Sequence, residues 1–200
     1  MPKQLIGISG TNGSGKDTIG HLLEQEHNFL FVSGSDMLRE DLKRRKIALT
    51  RENTRSLSSA WRRDYGLGVM IEKAIEIYEQ KGGDQKFSGL AIASLRNPGE
   101  ADSVHAHGGK VIWLDADPKI RYERIRLNAH LRGKDRATSD DVSYEKFLSD
   151  EAAEMEPATT NDPTLLSMSA VKAKSDIFLQ NEGNDLALLS KELNRLLGLS

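Results

Sequence analysis

Leu5-Ile6-Gly7-Ile8-Ser9-Gly10-Thr11-Asn12-Gly13-Ser14-Gly15-Lys16-Asp17-Thr18 decides how this chain folds. Its first residues are a short apolar run ending in glycine, the pattern of a strand buried on both faces. Its last two open a helical pattern over residues 17–26. Between them stands Gly10-x-x-x-x-Gly15-Lys16. Strand, glycine loop, lysine and helix in that order form a phosphate-cradling loop. Glycines let the backbone curl so that several N–H groups point inward at phosphate oxygens. The helix adds its positive end, and the lysine brings a full charge to the β- and γ-phosphates. The pattern assigns Gly10, Asn12, Gly13, Ser14, Gly15, Lys16, Asp17 and Thr18 to the binding of ATP. The residue after the lysine is commonly Ser or Thr, whose hydroxyl binds Mg²⁺. Here it is Asp17, a carboxylate able to hold the metal or its waters, and Thr18 behind it is available to donate to a phosphate oxygen.

Outward from the loop, short apolar runs recur at residues 29–32, 90–93, 111–114 and 177–179. Each has the length of a buried parallel strand. Helical patterns lie between them. Leu67, Ile71, Ala74, Ile75 and Tyr78 make one apolar stripe; Leu186, Leu189, Leu193 and Leu196 make another, capped by Asn184 or Asp185. Strands alternating with helices predict an α/β protein with a central parallel β-sheet. Two hundred residues suit one domain, 1–200, with a small mobile insert. Two segments have the composition of mobile chain. Residues 131–141 are charged, contain Gly133 and lack apolar periodicity; residues 156–163 hold two prolines among polar residues.

Composition narrows the chemistry. There is no cysteine, which excludes disulfides, thiolate zinc sites and cysteine nucleophiles. The opening residues Met1-Pro2-Lys3-Gln4 lack the layout of a secretory leader, and no apolar run approaches a membrane span, so a cytoplasmic protein with no membrane partner is expected. The net charge is only −2, but it is unevenly spread. Residues 39–63 carry nine Lys/Arg against three Asp/Glu, residues 119–136 seven against two, and residues 137–200 five against twelve. Two basic stretches and an acidic tail fit a polyanion site built from the middle of the chain, or else solvated helix faces. The run Lys43–Lys46 has no interleaved aromatics, so no nucleic-acid partner is expected. His105 and His107 lack a further partner at metal-ligand spacing and read as surface residues, while Trp61 and Trp113 read as core.

Several motifs together resemble the P-loop nucleoside monophosphate kinase superfamily, closest to its adenylate-kinase-like and dephospho-coenzyme-A-kinase-like uncharacterised group. Lys16-Asp17-Thr18 is similar to phage deoxynucleoside monophosphate kinases. Val32-Ser33-Gly34-Ser35-Asp36-Met37-Leu38-Arg39 resembles the adenylate kinase segment Ile-Ser-Thr-Gly-Asp-Met-Leu-Arg. Ser94-Leu95-Arg96-Asn97-Pro98-Gly99-Glu100 resembles Gly-Ile-Arg-Asn-Pro-Gly-Glu, and residues 115–124 and Asn181-Glu182-Gly183 also look like that group. The resemblance implies a three-layer P-loop kinase fold with helices on both sheet faces, an acceptor-binding helical region at about 34–85 and a lid at about 131–141. It implies transfer of the ATP γ-phosphate to a small nucleotide or nucleotide-like acceptor, with Mg²⁺. Two positions depart from the pattern. Ala93 stands where the family has an aspartate that orders water around the metal, and Gly34 where adenylate kinases have the threonine facing the base.

Roles follow, each with an ordinary alternative. Arg39 and Arg96 are a two-arginine clamp for the acceptor phosphate, or surface ion pairs. Asp36 lies one helical turn before Arg39, and orders metal water with Asp17, serves as a base, or caps its helix. Arg121, Arg124 and Arg132 share a face if their helix extends that far. With Arg136 they are lid candidates whose charge would offset that on the transferring phosphoryl group, Arg124 bearing on the nucleotide. A phosphate acceptor needs positioning and charge. A hydroxyl acceptor, as in dephospho-coenzyme A, benefits from a base, for which Asp36 is the candidate. A regulatory or assembly ATPase is the competing class. A GTP switch is disfavoured because no Asn-Lys-x-Asp motif is present to read guanine.

Overall fold

A computed structural model of the chain describes residues 1–127, 143–156, 162–183 and 185–199. Among them, five strands form one parallel sheet: β1 (Leu5–Gly10), β2 (Phe29–Ser33), β3 (Gly89–Ala93), β4 (Lys110–Asp115) and β5 (Ile177–Gln180). Their order is β2-β3-β1-β4-β5. Leu5 pairs with Leu90 on one side of β1, and Ser9 with Trp113 on the other. These are the five apolar runs of the sequence, each extended by a residue or two. All six residues of β1 and all five of β3 are buried, which is why they read as continuous apolar runs rather than alternating ones.

Helices cover both faces, giving three layers. The described helices are α1 (Lys16–His27), α2 (Gly34–Arg44), α3 (Arg51–Tyr65), α4 (Val69–Gln80), α5 (Pro98–Ala106), α6 (Pro118–Leu127), α7 (Tyr144–Met155), α8 (Met168–Ala173) and α9 (Leu186–Leu197). The period-2 alternation of the strands sorts the core. Leu5, Leu30, Val32, Leu90 and Ile92 meet Ile71, Ala74, Ile75 and Tyr78 of α4, with Ala101 and Val104 of α5. Ile6, Ile8, Ala91, Ile112 and Leu114 meet Ile19, Leu22 and Leu23 of α1, with Leu189 and Leu193 of α9. Most of both predicted stripes are core faces; Leu67 precedes α4 and is half-buried, and Leu186 at the start of α9 is exposed. The Asp185 side chain caps α9 by accepting from the Ala187 and Leu188 N–H groups. Burying each such aliphatic side chain contributes about 1.5–3 kcal/mol before the entropy of ordering it.

A third cluster, Leu38, Leu42, Leu57, Trp61, Val69 and Met70, ties α2, α3 and α4 together beyond β2. It accounts for Trp61 as core, and it makes residues 34–80 a helical unit at one edge of the sheet. The chain leaves β1 toward β2 on one side and later returns to β4 on the other. That reversal opens a crevice outside the carboxyl end of β1, where ligands bind in open α/β sheets. The expected lid at 131–141, with Arg132 and Arg136, lies outside the described residues, as does 157–161 of the second proline-containing segment. No described helix is long and apolar enough to cross a membrane.

Candidate functional site

The glycine loop leaves β1 at the crevice and turns into α1. Gly10, Gly13 and Gly15 have φ of 141°, 81° and 100°, a region that side chains with a Cβ avoid. At Gly10 a Cβ would also collide with the Leu114 carbonyl, and at Gly15 it would lie 2.7 Å from Asn181 Nδ2. The loop is braced from inside and outside. Ser14 is buried and its Oγ donates to the Thr11 carbonyl at 2.8 Å. Thr11 Oγ1 donates to Asp115 Oδ1 at the end of β4 (2.7 Å), and Asn181 Nδ2 donates to the Ser14 carbonyl (2.8 Å). Lys16 Nζ donates to the carbonyls of Gly10 (2.9 Å) and Thr11 (2.6 Å), folding over the loop it follows. No side chain caps α1, whose positive end suits an anion.

Arg121 was expected on a lid face. The structure places it elsewhere: its side chain is 3% exposed, with Nε on the Ala116 carbonyl (2.8 Å) and Nη1 on the Asn12 carbonyl (3.2 Å). It also forms a forked ion pair with Glu151 of α7. It braces the loop from behind. Arg124, one turn on, donates to the carbonyls of Asn181 (2.8 Å) and Gly183. Burial lowers its pKa from the ordinary arginine value, against the opposing field of Glu182.

A cavity of about 590 Å³ opens in front of the loop. Its lining brings together Asn12, Gly13, Gly15, Lys16, Asp17 and Thr18 with Arg39, Arg96 and Arg124. Of the residues read from the sequence, Gly10 and Ser14 shape the loop without lining this cavity. Asp36 does not line it either; its carboxylate accepts from Arg39 and is 60% exposed. Ser94 also lines the cavity at φ 76°, a strained position for a residue with a Cβ, held by its N–H on the Ile8 carbonyl (2.9 Å).

Arg96 is set in place by the helix start that follows it. Asn97 caps α5 through the Gly99 N–H (2.9 Å), Pro98 opens the first turn, and Glu100 Oε2 accepts from the backbone N–H groups of Arg96 (2.7 Å) and Asn97 (3.1 Å). Glu100 Oε1 takes Arg62 of α3 at 2.8 Å, both side chains at most 2% exposed. Among the charged residues of the cavity wall, Arg51 and Arg55, one turn apart on α3, Arg62 further along it, and Glu154 of α7 were not singled out in the sequence. Burial alone would raise the Glu154 carboxyl, but Arg96 foremost, with Arg55 and Arg51, holds it below the usual glutamate value. The three arginines belong to the basic stretch 39–63, whose charge excess was the available signal. Glu154 lies 58 positions beyond Arg96, so nothing local announced their contact.

A parallel α/β sheet with a glycine loop between its central strand and the next helix defines a P-loop protein of kinase-like architecture. The chain belongs to the family described as AAA domain, whose profile matches residues 6–148. It is similar to a UPF0200 protein of Methanococcus maripaludis, 26% identical over 182 residues, covering 90% of this chain and 89% of that protein. A UPF0200 protein of Hyperthermus butylicus is 28% identical over 152 residues, covering 76% and 75%. The fold is shared with a shikimate kinase from Bacteroides thetaiotaomicron (TM-score 0.62, 14% identity, 98% of each chain). It is also shared with a sugar kinase from Janibacter (TM-score 0.53, 16% identity, 100% of this chain and 96% of that one).

Proposed function

We propose that the protein is an ATP-dependent phosphotransferase whose acceptor is a small anionic, nucleotide-like molecule, in the manner of nucleoside and deoxynucleoside monophosphate kinases. One observation carries this reading: a single cavity is lined both by the phosphate loop with Lys16 and by Arg39 and Arg96. Donor phosphates on the loop and an acceptor anion on the arginines would meet inside one enclosure, and positioning with charge stabilisation is most of what phosphoryl transfer asks of a protein. An ATPase that only switches conformation has no use for acceptor arginines. The test is whether ADP release depends on an added acceptor across nucleoside monophosphates, deoxynucleotides and dephospho-coenzyme A. Release at the same rate without any acceptor would refute the kinase reading in favour of the ATPase.

Arg39→Ala and Arg96→Ala are expected to raise the acceptor KM by roughly 10- to 150-fold, the equivalent of the 1.5–3 kcal/mol lost with a charge-assisted hydrogen bond. ATP binding should change little. Titrations in which ATP, not the acceptor, weakens would remove both residues from the acceptor side.

A hard cation with oxygen ligands fits beside Asp17, which lines the cavity between Lys16 and Thr18. Mg²⁺ bound there would offset triphosphate charge. Asp36 would join only by giving up Arg39. Asp17→Asn is expected to need clearly more Mg²⁺ for half-maximal rate. Asp36→Asn shifts the same curve if its carboxylate makes that exchange. Unmoved curves for both variants would take the two carboxylates out of the metal site.

A further inference from the structure

The chain already holds an anion between two of the cavity's arginines, and it supplies that anion itself. Glu154, in the last turn of α7, accepts from Arg96 Nη1 on Oε2 (2.7 Å) and from Arg55 Nη2 on Oε1 (2.9 Å). The two guanidiniums come from different elements, α3 and the segment after β3, and converge on one carboxylate that is only 16% exposed. Both arginines and Glu154 line the cavity that also holds Lys16. Two guanidiniums holding the two oxygens of one group is the way proteins recognise a carboxylate or phosphate.

We infer that Arg55 and Arg96 form the subsite for an anionic group of the acceptor, that Glu154 occupies this subsite when the acceptor is absent, and that acceptor binding displaces it. The inference rests on the reading of Arg96 as an acceptor-side residue. It adds Arg55 as a specificity-determining residue and Glu154 as a built-in competitor. Three features, two of α7 and one of the arginines it meets, support a removable occupant over a fixed brace. The contacts of the helix's last turns with the cavity wall are ionic, Asp150 on Arg51 and Glu154 on the Arg55–Arg96 pair, while Glu151 on enclosed Arg121 and Phe147 against Tyr122 anchor the helix behind them. Among its residues only Phe147 is buried. Arg51 and Arg55 remain 36% and 46% exposed in their ion pairs, where screening keeps each contact weak enough to exchange. Arg62 behaves oppositely: fully enclosed with Glu100, it has no room to change partner.

The experiment titrates inorganic phosphate and, separately, acetate into the full chain, with a non-hydrolysable ATP analogue first bound to saturation so that the phosphate loop is filled. Failure of the analogue to bind would count against the P-loop reading itself and is scored before the anion is added. Wild type, Glu154→Gln, Glu154→Asp and the double variant Glu154→Gln/Arg55→Ala are compared by calorimetry. Glu154→Gln keeps the shape and loses the charge, and is expected to bind the anion at least tenfold tighter than wild type. Glu154→Asp keeps the charge one methylene short of its partners. It is expected to show a smaller gain, and it preserves the test should the glutamine variant fold poorly. The double variant is expected to lose the gain. A gain with phosphate alone identifies a phosphate group on the acceptor, and one with acetate alone a carboxylate. Equal affinity in wild type and both single variants would make Glu154 a structural brace and overturn the inference. A gain that survives Arg55→Ala would place the anion elsewhere and overturn it equally.

Discussion

Lys16→Ala is expected to lower the rate of phosphoryl transfer by about 10²–10³-fold, the loss typical of removing one preorganised charge-stabilising donor, while leaving the fold intact. The two halves of the expectation come from different bonds. Lys16 Nζ donates to the carbonyls of Gly10 and Thr11, both part of the loop it follows. The loop has other supports for its shape. Its path is set by positive φ at three glycines, by Ser14 on Thr11, by Thr11 on Asp115, by Asn181 on Ser14 and by Arg121 on Asn12. Removing the ammonium therefore deletes charge beside the β- and γ-phosphates with little cost to the scaffold. Lys16→Arg keeps the charge but replaces a compact, rotatable ammonium with a planar fork, and is expected to recover little. Acceptor-dependent ADP formation gives the rate, and a thermal melt gives the fold. Near-normal turnover in Lys16→Ala would overturn the assignment of the loop to ATP.

What the sequence discloses and what it hides follow from how local each determinant is. The loop is legible because its geometry is made within seven residues, by glycines whose conformations nothing else adopts cheaply. The strands are legible because burial on both faces forces unbroken apolar runs, as in residues 90–93. The partnership of Arg96 with Glu154, and of Arg55 with the same carboxylate, depends on where α7 docks, and no periodicity encodes that. Arg121 shows the same limit in reverse. On helix spacing alone it shares a face with Arg124 and suits a lid, yet the docking of α7 encloses it with Glu151. Asp36 was legible as a neighbour of Arg39 at one helical turn; that the pair would be satisfied with each other at the cavity's edge was not.

The basic stretch 39–63 presents nine cations of like appearance, and Arg62 is where the structure separates them most sharply. It lines the cavity, as Arg39, Arg51 and Arg55 do, so by location alone it belongs with the acceptor residues. Its bonding says otherwise. Nε and Nη2 donate to Glu100 Oε1 at 3.1 and 2.8 Å, and Nη1 donates to the Thr164 carbonyl at 3.0 Å and to Ser58 Oγ at 3.3 Å. Removing it would strand a buried carboxylate, the situation in which a broken ion pair costs about 3–5 kcal/mol. Arg62→Ala is thus expected to destabilise the protein by that amount, with a fall in Tm on the order of 10 °C, whereas Arg96→Ala should cost far less stability and much more acceptor affinity. Replacing both partners, as Arg62→Met with Glu100→Leu, would normally restore most of such a loss. Here the recovery should be partial, because Glu100 Oε2 also accepts from the N–H groups of Arg96 and Asn97 and its loss undoes the start of α5. Thermal and urea melts of the single and double variants, set beside their acceptor KM values, check this. An Arg62→Ala protein as stable as wild type but weak in acceptor use would move Arg62 from the scaffold into the site.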